Sequence, residues 1–149
     1  MKISRLLKIS RPRFWLYEAG TFGIGYVASM ATMRELLRPE ALLWFLFFLI
    51  PANLLIYGVN DIFDYETDKL NPKKVEYEAL VEPHERKTLF TVIAILVLLF
   101  IPIILKLSLL PAISLFLFFF FAIFYSAPPI RAKARPFFDS FFSAGHYVA

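Results

Sequence analysis

The stretch Asn60-Asp61-Ile62-Phe63-Asp64-Tyr65-Glu66-Thr67-Asp68 concentrates oxygen ligands in an otherwise apolar chain. If a helix runs through it, each residue advances about 100° and rises about 1.5 Å. Asn60, Asp64 and Asp68 then lie within about 80° of one another, with Asp61 about 20° further round. Asn53 and Tyr57 extend the same arc backwards, so one stripe collects two amides, a phenol and three carboxylates. Like charges at i, i+4 repel, and placing them at a bilayer boundary adds desolvation cost. A hard divalent cation offsets both, and Mg2+ characteristically binds through one or two carboxylates plus substrate phosphates. The alternative is a solvated acidic loop paired with Lys69, Lys73 and Lys74. An EF-hand is excluded, because it needs alternating oxygens and a central glycine.

A second polar stretch is Tyr125-Ser126-Ala127-Pro128-Pro129-Ile130-Arg131-Ala132-Lys133-Ala134-Arg135. The proline pair predicts a rigid extended turn. Extended backbone would point Arg131, Lys133 and Arg135 to one side. They serve either as an anion clamp for phosphate or as a positive anchor at the membrane surface. Glu18 lies about one turn into an apolar stretch, where it snorkels, pairs with Arg11 or Arg13, or lines a polar cavity. Tyr17, Tyr57, Tyr125 and Trp15 have the placement of interfacial aromatics. His84 is expected in solvent, and Asp139 alone says little.

The elements that position these groups follow from composition. Of 149 residues 59% are hydrophobic, 19% are charged and 18 are Phe. So short a chain cannot hide that much apolar surface in a soluble core, and its natural solvent is lipid. Apolar runs at about 14–33, 41–59, 89–105 and 107–125 predict four spans, with a fifth beginning near Pro136. Residues 1–13 predict a basic amphipathic segment on the membrane surface, and residues 60–88 a cytoplasmic loop. Of the 16 Lys and Arg, all but Arg34, Arg38 and Lys106 fall on one side of this arrangement. The positive-inside rule therefore puts the N-terminus in the cytoplasm of a multi-pass protein of the cell membrane. Nucleic acid is not an expected partner. The chain has no cysteine and only two histidines, which removes thiolate metal sites, disulfides and cysteine nucleophiles.

Together these stretches resemble the UbiA-type intramembrane prenyltransferases. Asn60-Asp61-x-x-Asp64-x-x-x-Asp68 is similar to that family's first aspartate-rich motif, and Tyr125-Ser126-x-Pro128-Pro129-x-Arg131-x-Lys133 to its element after the fourth helix. The resemblance implies an all-α integral membrane bundle of nine helices. This single membrane domain, 1–149, would be its N-terminal half: four transmembrane helices and a truncated fifth. It also implies Mg2+-dependent transfer of a prenyl group from a prenyl diphosphate to a lipophilic acceptor. Asn60, Asp64 and Asp68, with Asp61 beside them, would hold Mg2+. Arg131 and Lys133, with Lys73 or Lys74, would contact the diphosphate, and Tyr57 and Tyr125 would face the allylic cation. Family members are about twice this length, so a second aspartate-rich motif is expected beyond Ala149, and the chain alone is not expected to turn over. The 70–78 loop and Arg11-Pro12-Arg13-Phe14-Trp15 resemble the carotenoid branch, the lycopene elongases. Two readings compete: a small transporter or channel subunit, which calls for polar residues along several spans, and a non-catalytic membrane scaffold. The apolar third and fourth spans disfavour the former.

Overall fold

The computed structural model describes residues 1–72, 74 and 78–148. Every regular element among them is helical. In chain order these are α1 (Ile3–Ile9), α2 (Trp15–Ser29), α3 (Pro39–Leu49), α4 (Pro51–Phe63), α5 (Tyr65–Asp68), α6 (Arg86–Leu98), α7 (Ile101–Ile104), α8 (Leu109–Ser126) and α9 (Phe138–Val148), with short 3-10 turns between several of them.

Proline sets two of the breaks. Pro51 lacks an N–H and crowds the carbonyl four residues back, and the backbone leaves helical geometry at Ile50 (φ −119°, ψ −62°). The Asn53 side chain repairs the step, donating to the carbonyls of Phe48 (2.8 Å) and Leu49 (3.1 Å). Asn53 therefore serves the kink, not the polar stripe expected of it. Pro102 acts likewise on the expected third span, which divides into α6 and α7.

Among the described residues, two helices are long and apolar enough to cross a membrane: the kinked Pro39–Phe63 unit and α8. They measure about 38 Å and 27 Å, against about 30 Å of hydrocarbon. The first and third expected spans are shorter, with α2 and α6 running 15 and 13 residues. Leu16, Ile24, Leu99, Leu109, Leu110 and Phe116 face outward. The core centres on the fully buried Phe47, whose ring meets those of Phe100 at 5.0 Å and Phe48 at 5.2 Å. Around it α2 packs on α3, and α4 on α6 and α8.

At α9 the packing depends on a missing side chain. A Cβ on Gly145 would lie 2.8–2.9 Å from three atoms of the Phe121 ring. That ring is held between Phe141 and Phe142, so it cannot swing aside. Gly145→Ala is expected to cost about 1–3 kcal/mol through overpacking, read as a lower melting temperature in detergent. Gly58→Ala should cost less, because the obstructing atom is the flexible end of Ile93.

The surface helix α1 docks on α4 through Leu6 and Ile9. Arg5 fastens it, donating to both oxygens of Glu85 at 2.6 and 2.5 Å and to the Leu80 carbonyl at 2.8 Å. That pairing holds the Glu85 carboxyl below the ordinary carboxylate range. A depressed carboxylate contributes stability above its unfolded value and loses it as pH falls through the folded one. Docking of α1 should therefore loosen below about pH 4.5. Hydrogen exchange of the α1 amides should accelerate there, and in Glu85→Gln the rise should already be present at neutral pH.

Candidate functional site

The helix expected to run through Asn60–Asp68 stops at Phe63. Asp64 (φ −110°, ψ 9°) interrupts it, and its carbonyl opens the single turn α5. The interruption divides the acids. Asn60 and Asp64 face the segment after α8, whereas Asp61 and Asp68 face the loop after α5. Among the described residues no three His, Asp or Glu side chains gather as a metal-binding group.

The first cluster forms around Lys133. Its ammonium donates to Asn60 Oδ1 (2.9 Å), Ser126 Oγ (3.0 Å) and Asp64 Oδ2. Ser126 donates in turn to Asn60 Oδ1 at 3.0 Å. Arg131 approaches Asp64 Oδ1 from the other side at 3.2 Å. The expected extended turn is absent. The Arg131 N–H closes a tight turn onto the Ala127 carbonyl, Arg131 is left-handed (φ 44°), and Ala132–Ala134 form a 3-10 turn. This coiling brings Arg131 and Lys133 onto one carboxylate from two directions, while Arg135 remains exposed. Burial pulls the Lys133 ammonium below the ordinary lysine range, and Asp64 opposes that shift. Asp68 adds its charge through space. With one carboxylate against two cations, the cluster carries surplus positive charge. The Arg131 side chain is 47% exposed, so that charge is accessible.

The second cluster is buried at its centre, with Arg13 exposed at its edge. Asp61, 2% exposed, pairs with Lys74 and, at 3.1 Å, with Arg11. Lys74 also meets Asp68 at 2.9 Å, and Arg11 and Arg13 both meet Glu78. Three acids and three bases cancel. Arg11, like Arg131, is left-handed (φ 52°) and starts a 3-10 turn. Such backbone persists only where the surroundings over-determine it. Lys74, expected at the diphosphate, is thus buried among carboxylates, and Lys73 lies outside the described residues.

Tyr57 offers its ring face to Arg11 (4.5 Å to the centroid) and packs on Phe14 at 5.6 Å. Tyr125 stands beside Asp139, within electrostatic reach of Asp64. Sequence reasoning gave no role to Ser126 or Glu78, and offered Arg11 only as a partner for Glu18. Ser126 sits inside the second motif and could have been found there. Nothing local distinguishes Arg11 from its basic neighbours.

Comparison with known proteins gives a consistent result. The UbiA prenyltransferase family model matches residues 21–149. A lycopene elongase/hydratase of Haloferax volcanii is 41% identical over 146 residues, covering 96% of this chain and 46% of that protein. Another, from Halobacterium salinarum, is 38% identical over 143 residues, covering 96% and 51%. A C(50) beta-cyclic carotenoids biosynthesis protein of a Dietzia species is 35% identical over 153 residues, covering 99% and 34%. The chain spans about half the length of most of the curated relatives it matches. No solved structure matches it.

Proposed function

Because the chain belongs to the UbiA prenyltransferase family, whose members are membrane proteins, we propose that it forms the diphosphate-binding part of an enzyme that moves a prenyl group from a prenyl diphosphate to a lipophilic acceptor within the bilayer. The relatives' names support a carotenoid polyene as that acceptor. Four spans, with the N-terminus and both clusters on the cytoplasmic side, suit the charge bias of the loops. The rest of the metal site then lies in the region the relatives carry outside the matched span.

The observation that carries this reading is the surplus positive charge around Asp64. Asn60, Asp64, Arg131 and Lys133 join it to the long apolar helices that would hold a prenyl tail. The donor set also fits a hard cation, since the Lys133 ammonium already collects oxygens from an amide, a carboxylate and a hydroxyl. Asn60 and Asp64 would hold Mg2+, with Asp68 on the adjoining turn contributing charge. When bound, the metal neutralises diphosphate charge and makes it a better leaving group. Arg131 and Lys133 take up the diphosphate oxygens and stabilise the charge that develops as the C–O bond breaks. Lys133, short of solvation, gains most from an incoming anion. The allylic cation left behind is attacked by a double bond of the acceptor.

The test is equilibrium binding of a radiolabelled prenyl diphosphate to the protein in membranes, with and without Mg2+. Saturable binding that Mg2+ strengthens is expected. Its absence overturns the proposal.

A further inference from the structure

Glu18 lies in the first turn of α2 and is 4% exposed. It pairs neither with Arg11 nor with Arg13. Its Oε1 stands 3.3 Å from Nε2 of His146 on α9, itself nearly buried. The pair lies in the wall of a cavity of about 720 Å³, whose lining includes no residue of either charged cluster. Phe22, Tyr26, Trp44 and Phe48 line the same cavity. Phe22 stacks on Phe48 at 5.1 Å and on Tyr26 at 5.8 Å. The other acid in the lining, Glu40, is exposed. A buried carboxylate with an imidazole, among aromatic faces, is an expensive arrangement for a membrane interior. It suits a guest that is greasy and transiently positive.

Resting on the prenyl-transfer reading, we propose that Glu18 and His146 form the proton acceptor that quenches the carbocation generated on the acceptor in this cavity. When the acceptor's double bond captures the allylic cation, a new C–C bond forms and the positive charge moves to an acceptor carbon. A C–H bond beside that carbon breaks, and its electron pair closes a new C=C bond. The proton goes to a Glu18 oxygen. When a water molecule adds to the cationic carbon instead, a C–O bond forms and the same oxygen takes the water's proton. In both cases the carbon-centred positive charge is discharged as one proton, which neutralises the Glu18 carboxylate and is shared with the imidazole. His146 Nδ1 lies 3.3 Å from the Phe142 carbonyl, which orients the ring so that Nε2 exchanges protons with Glu18.

The probe is a quaternary ammonium bearing two branched isoprenoid chains, a fixed-charge mimic of the cation, with its uncharged hydrocarbon isostere as control. Binding to the detergent-solubilised protein is read from tryptophan fluorescence, since Trp44 lines the cavity. Glu18→Gln should weaken ammonium binding by about 30-fold, the worth of a charge-assisted contact, and leave the isostere unchanged. Equal ammonium binding, or equal loss of both probes, overturns the proposal. Native protein supplies a second measurement that needs no variant to fold. A lipophilic carbodiimide should label Glu18, and the ammonium but not the isostere should protect it. Failure to label, or labelling without protection, counts against the proposal as well. Prenyl diphosphate binding is measured in parallel, and Glu18→Gln should leave it intact. If diphosphate fails to bind while the ammonium binds through Glu18, the transfer reading fails separately.

Discussion

Asp64→Asn should abolish the Mg2+-dependent part of prenyl diphosphate binding, a loss of about 100-fold or more, while leaving metal-free binding equal or tighter. The two halves of this expectation have opposite signs for an electrostatic reason. Removing the Asp64 charge raises the surplus positive charge facing the anion, because Arg131 and Lys133 lose their shared counterion. If the cluster bound diphosphate through its cations alone, the variant would be the better binder at every Mg2+ concentration. Only if Asp64 supplies a metal ligand does the variant fall behind as Mg2+ is added. Lys133→Met should weaken binding under both conditions, since it removes a cation whatever the metal does. Native-like Mg2+ dependence in Asp64→Asn would remove Asp64 from the metal site.

Asp61→Asn should act on the fold, destabilising the protein by about 3–5 kcal/mol, the usual cost of breaking a buried ion pair from one side. Lys74 and Arg11 both depend on this carboxylate, and all three side chains are largely removed from solvent. Its loss leaves Lys74 with Asp68 and Glu78, and Arg11 with Glu78 alone. Thermal unfolding in detergent is the measurement. Prenyl diphosphate affinity per folded molecule should match the native value. A variant that melts normally but loses the Mg2+ effect would return Asp61 to the metal site.

These two expectations part company only because the acids are divided, and the spacing of Asn60, Asp61, Asp64 and Asp68 did not reveal that. On a continuous helix the four lie close together, and the sequence contains no proline or glycine between them to end it. At the break, Asp64 meets Arg131 and Lys133, 67 and 69 positions further on, while Asp61 and Asp68 meet Lys74 in the loop that follows. A local rule was also passed over: Pro51 and Pro102 break helices at the places their missing N–H groups dictate, inside runs expected to be continuous. The branch inferred from Arg11–Trp15 and the 70–78 loop is that of the relatives the chain matches.

By itself, the sequence determined an apolar helical protein with two polar stretches and, through the resemblance those stretches carry, its family, because composition and residue spacing act over a few neighbours. Only the tertiary structure decided which acid answers to which base. It coiled the 127–135 segment so that Lys133 meets Asn60, buried Lys74 against Asp61, and brought His146 to Glu18 across 128 positions. Charge pairing in a low-dielectric interior is set by distance in space, and chain distance does not encode it.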